Sequence, residues 1–84
     1  ALADLNREAI LKLQRLIIDI CAEPGTFEEI LRSVFTEYGM LMTAQTYALT
    51  GSTVRSYISG LYSDGKLTYV FEDNRMLWKI PDVK

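Results

Sequence analysis

The 84-residue chain has no histidine. That removes the commonest general base and the commonest transition-metal ligand together, so enzymatic catalysis is not expected. There is one cysteine, Cys21. It cannot form an internal disulfide, and a zinc site would need several Cys or His ligands. On the inner side of a helix a free Cys usually behaves as a small apolar residue. The five glycines are isolated, so no Gly-rich phosphate loop is present. Glu28 and Glu29 are adjacent and diverge by about 100° on a helix, which prevents a carboxylate pair on one face. No apolar run is long enough to span a bilayer, and nothing resembles a secretory leader. The expectation is a soluble, cytoplasmic domain that is not an enzyme, with no cofactor, metal, membrane contact or evident small-molecule ligand.

Positive charge is also scarce. Nine Lys and Arg face eleven Asp and Glu, a net charge of -2. Nucleic-acid binders usually show the opposite balance, because non-specific affinity comes from neutralised phosphates. The acids are unevenly placed, however. Residues 1–42 hold four bases and seven acids, residues 43–84 five bases and four acids, and no Asp or Glu lies between Glu37 and Asp64. A modest local positive field is therefore compatible with the global sign.

The 49% hydrophobic content is ample for one packed core. Ala9, Ile10, Leu13, Leu16, Ile17 and Ile20 repeat at helical spacing and predict a helix over about 4–22, capped by Asp4 or Asn6. Leu11 and Ile18 widen its apolar surface beyond one contact. Pro24 and Gly25 break the chain, and Thr26 to Glu29 form a capping box for a helix over 26–38. Its inner face is Phe27, Ile30, Leu31, Val34, Phe35 and Tyr38, and Gly39 is placed to end it in the left-handed region. Met40 to Met42 read as a partly buried apolar connector. A short helix over 43–49 follows, with Ala44, Tyr47 and Ala48 inward and Gln45 and Thr46 outward. Thr50-Gly51 reads as a turn, with Ser52 capping a helix over 52–64. That helix turns Val54, Tyr57, Ile58 and Leu61 inward and leaves Ser52, Thr53, Arg55, Ser56 and Ser59 outside.

After Gly65 the period changes to alternation. Strands over 67–71 and 76–80 joined by Asp73-Asn74 pair Glu72 with Arg75, Phe71 with Met76, Val70 with Leu77, Tyr69 with Trp78 and Thr68 with Lys79. Leu67, Tyr69 and Phe71 are then expected to face the core and the Val70–Leu77 pair to face out. The layout is α+β, mostly α: three to four helices followed by a two-stranded hairpin in a single domain over residues 1–84.

The stretch S-T-V-R-S-Y-I-S-G-L-Y-S-D-G-K-L, Ser52 to Leu67, followed by a strand pair, resembles winged helix-turn-helix DNA-binding regulators of prokaryotes, phages and plasmids. The match spans residues 43–80. It implies double-stranded DNA binding in transcription regulation. Arg55, Ser56 and Ser59 would lie in the major groove, and Thr50, Ser52 and Thr53 would touch phosphates at the helix start. Asn74 and Arg75 would reach the neighbouring groove or backbone. Gln45, Thr46 and Lys66 complete the expected contact set. A homodimer through the helix over 4–22 is expected, since one small module buries limited DNA surface. The alternative is a winged helix used for protein–protein contact in a larger assembly.

Overall fold

The computed structural model describes residues 7–82. Leu13 and Ile17 set the inner face of α1 (Arg7–Ile20); the cap expected at Asp4 or Asn6 lies outside the described residues. The helix ends two residues before its expected end. Ala22 and Glu23 instead donate to the carbonyls of Asp19 and Ile20, three residues back. Pro24 has no N–H and excludes the helical region for the residue before it, so the last turn tightens and stops.

Both ends of α2 (Phe27–Glu37) are closed by local chemistry. The Thr26 N–H donates to Glu29 Oε1 at 2.8 Å and the Glu29 N–H to Thr26 Oγ1 at 3.2 Å. At the other end Gly39 sits at φ 63°, with the Gly39 and Met40 amides donating to the carbonyls of Thr36 and Phe35. This is a complete Schellman motif. Ile30, Leu31, Val34 and Phe35 are buried, whereas Tyr38 lies beyond the helix, exposed, with Lys12 Nζ 5.9 Å from its ring centre. The Met40–Met42 connector is exposed and not partly buried.

The largest departure from the sequence reading is α3, one continuous helix over Ala44–Ser63. The helices expected over 43–49 and 52–64 are fused, and the turn at Thr50-Gly51 does not exist. The described residues thus form three helices. A seven-residue helix is too short to repay its own nucleation, while continuing an existing helix adds a hydrogen bond for each residue fixed. Gly51 lowers helix propensity by about 1 kcal/mol and does not interrupt that gain. Thr43 is the N-cap as expected, and a second Schellman motif closes the helix at Gly65, φ 77°.

Strands β1 (Thr68–Glu72) and β2 (Arg75–Lys79) pair antiparallel in the expected register, from Glu72–Arg75 to Thr68–Lys79. They are displaced by one residue from the expected bounds, so Leu67 and Ile80 fall outside the ladder. Asp73 and Asn74 both have positive φ, 53° and 59°, which gives the tight turn the twist of its flanking strands. Strand β2 also bridges to Gly25 in the α1–α2 loop through reciprocal backbone bonds with Trp78. A third backbone bond runs from the Ile80 N–H to the Cys21 carbonyl, fixing the hairpin to the helices.

The core joins Leu13, Ile17 and Cys21 to Ile30, Leu31, Val34 and Phe35, and to Val54, Ile58, Leu61 and Leu67. No polar or charged residue among the described residues is buried. The hairpin faces are not divided as expected. Leu67 and Trp78 do reach the core, but Leu77, expected outside, is buried, and Phe71, expected inside, is 71% exposed. Strand β2 lies against α2, and Phe71 stands two residues before the turn at Asp73-Asn74, at the end of the hairpin away from the Gly25 and Cys21 backbone bonds.

Candidate nucleic-acid interface

Helix α3 crosses α2 at Gly51, where an added Cβ would lie 3.6 Å from the Leu31 side chain. From that crossing toward the C-terminus, Val54, Ile58 and Leu61 are buried, and Ser52, Arg55, Ser56 and Ser59 stand exposed on the other side. The expected reading face therefore exists as a surface. Thr53 departs from it: half-buried, its hydroxyl donates to the Leu49 carbonyl at 3.2 Å, the back-bonding typical of Thr within a helix.

The expected phosphate contacts at a helix start need correction. Because α3 begins at Ala44, Thr50, Ser52 and Thr53 lie in its interior and offer no free amides. Its N-terminus is about 12 Å from Ser52 along the axis. Part of that terminus is already served: the Thr46 N–H donates to Thr43 Oγ1 at 3.1 Å. The Thr46 hydroxyl accepts from the Thr43 N–H at 2.8 Å and donates to the Leu41 carbonyl at 2.9 Å. Thr46 is thus occupied by the cap, while Gln45 is exposed.

Arg55 is exposed but not unattached. Its guanidinium carbon lies 4.0 Å from the ring centre of Phe27, the first residue of α2. Next to it the Tyr47 hydroxyl donates to Glu28 Oε2. That hydrogen bond is the main reason the Tyr47 phenol is held above its ordinary value of 10, with the Arg55 charge opposing it. The window without acids in the sequence is therefore not free of acid in space, since α2 brings Glu28 to its edge. Phe27, Glu28 and Tyr47 were not among the expected site residues. The Tyr47–Glu28 contact spans 19 residues, and no period, cap or turn within either helix encodes it.

The hairpin supplies the remaining expected contacts. Lys66, Asn74 and Arg75 are exposed, with Arg75 paired across the strands with Glu72. Arg75 also lies near the start of α2. The Glu29 carboxyl is held below its ordinary range first by the Thr26 N–H, then by the Thr26 hydroxyl and the Arg75 charge. The two arginines of the candidate surface, Arg55 and Arg75, thus both lie near the acid-bearing first turn of α2, whereas Lys66 does not share that neighbourhood.

Four rings gather where α3 meets the hairpin. Tyr69 lies 5.4 Å from both Tyr62 and Trp78 and 5.7 Å from Phe71, centre to centre. The tilted and edge-on geometries are those of aromatic packing. The expected cross-strand Tyr69–Trp78 pair forms, and Trp78 packs against the core. Cys21 is fully buried and its thiol is pushed up to about 11 by loss of solvent, which leaves it protonated and inert at neutral pH. Among the described residues no group of three His, Cys, Asp or Glu is placed to hold a metal, and no helix is long and apolar enough to cross a membrane. Neither protein-family models, nor curated proteins, nor solved structures give a match to this chain.

Proposed function

We propose that this chain is a winged-helix module that binds double-stranded DNA as a transcriptional regulator. In this reading α3 enters the major groove and the hairpin lies on the adjacent groove or backbone. The observation that carries the reading is the exposed face Ser52, Arg55, Ser56 and Ser59 on a helix backed by a three-helix core, beside a hairpin with Arg75 at its turn. Magnitudes support it. An exposed cation–π contact such as Arg55 on Phe27 stabilises by about 0.5–1 kcal/mol, whereas a bidentate Arg–guanine pair discriminates by about 1–3 kcal/mol. A base edge can therefore draw Arg55 from its ring.

A protein–protein module is the second reading. It is favoured by one specific observation, the acids Glu28 and Glu29 on the turn of α2 that faces Arg55 and Arg75. Selection of bound sequences from random duplex DNA, followed by the salt dependence of affinity, separates the two. DNA binding predicts an enriched sequence and affinity that falls as salt rises. Arg55→Ala should then cost about 1–3 kcal/mol and relax preference at one base position, while Lys66→Ala and Arg75→Ala weaken all sequences alike. No enrichment, a flat salt slope, or an unchanged Arg55→Ala affinity would move the assignment to the protein-interaction module.

A further inference from the structure

The segment from Tyr38 to Leu49 is largely apolar and exposed. Eleven of its twelve residues are exposed, Thr46 being the exception, and they include Leu41 at 80% and Leu49 at 59%. It consists of the connector after α2 and the first six residues of α3, which project past the crossing at Gly51. Helices in proteins owe most of their stability to packing of an apolar face. Here the capping box of Thr43 and the Tyr47–Glu28 hydrogen bond hold the first turns of α3, and no core residue lies N-terminal to Gly51 within it. Tyr38, Met40, Leu41, Met42, Tyr47 and Leu49 together leave on the order of 600 Å² of residue surface in water, backbone and phenol oxygens included, comparable with the largest apolar patch of an ordinary monomer, a patch that is often functional.

We propose that this segment is the interface between two copies of the chain. Charge is the first argument. No charged residue lies between Glu37 and Arg55 in the chain, and the two charges that reach this segment in space, Glu28 on the Tyr47 hydroxyl and Lys12 over the Tyr38 ring, are of opposite sign, so a two-fold contact, which places a patch against itself, need not set like charge against like. Elsewhere the chain is acidic overall, and a partner selected by charge would find nothing on this segment to recognise. Area is the second argument. The six side chains, with exposed Gly39, Thr43, Ala44, Gln45 and Ala48 beside them, approach the roughly 800 Å² per partner of a standard interface. The outer face of α1 is a poorer seam: Ile18 already packs on the core, and exposed Ile10 and Leu11 are accompanied by Glu8, Lys12 and Arg15.

Solution mass of the full chain against concentration, without DNA, tests the assignment independently of any DNA binding. A concentration-dependent dimer is expected. Leu41→Lys and Leu49→Lys change exposed side chains, so the fold should survive, as unchanged circular dichroism would verify. Each should raise the dimer dissociation constant at least about tenfold, or 1.4 kcal/mol, while Leu11→Lys leaves it unaltered. A chain that stays monomeric to about 1 mM, a dimer indifferent to both Lys variants, or one dissociated by Leu11→Lys would each overturn the proposal.

Discussion

Helix α3 contains two regions that differ in everything except backbone conformation. From Gly51 to Leu61 it carries four of the buried residues of the fold, whereas from Ala44 to Leu49 none of its residues is buried. The first region is held by the core, the second by its capping box and one side-chain hydrogen bond to α2. The difference shows that secondary structure and burial are set by separate forces: continuity comes from backbone hydrogen bonding, and packing from which helix crosses where.

The largest expected effect contrasts the two regions directly. Ile58→Ala removes a side chain 2% exposed and should cost about 2–5 kcal/mol by urea denaturation, whereas Leu49→Ala should stay within about 0.5 kcal/mol in the monomer. Equal costs would mean that the first turns are packed within the chain. Next, Thr43→Ala should cost about 1 kcal/mol of local helix stability, read as faster amide exchange confined to the first turns of α3, with the exchange of Val54 to Leu61 unchanged. Gly51→Ala should be neutral or stabilising by up to about 1 kcal/mol, because the new Cβ would make ordinary contact with Leu31 and the φ there is helical. A turn of positive φ at this position would reverse that sign, so destabilisation would break the single-helix description.

The smallest effect compares the two capping boxes. Glu29 closes the box of α2, and Thr46 closes that of α3. With its folded pKa below the ordinary 4.5, Glu29 stabilises the fold at neutral pH, and that contribution disappears as pH falls through the folded value. The Thr26 amide resonance should therefore titrate with a midpoint below 4.5, while the Thr43 amide, bonded to a hydroxyl, should not move. A Thr26 midpoint at or above 4.5 would remove the stabilising role of Glu29.

Most local decisions were legible in the residues. Thr26 and Glu29 announce their capping box, Gly39 and Gly65 their left-handed ends, and the polarity of the pairs from Glu72–Arg75 to Thr68–Lys79 allows only the observed register. Thr50-Gly51 misled because glycine next to a hydroxyl residue is compatible both with a turn and with a helix interior, and the hydrogen-bond gain of continuing a helix is not written at one position. The faces of the hairpin were half legible. Alternation separates Val70 and Leu77 from Tyr69 and Trp78, but it cannot say that Leu77 is buried on the second face as well.

The same division holds for the candidate site. Helical period alone put Ser52, Arg55, Ser56 and Ser59 outside, and they are exposed. That Arg55 rests on Phe27 beside Glu28 and Tyr47, and that Glu29 faces Arg75, depended on how α2 meets α3 and the hairpin. By itself the sequence determined the element types, the caps, the strand register and the outer stripe of α3, because each follows from interactions within a few residues or across one turn. Only the tertiary structure decided that the first turns of α3 stand uncovered and that both arginines of the candidate surface lie near the acids of α2. Those outcomes arise from contacts between elements distant in the chain, whose crossing point no local pattern encodes.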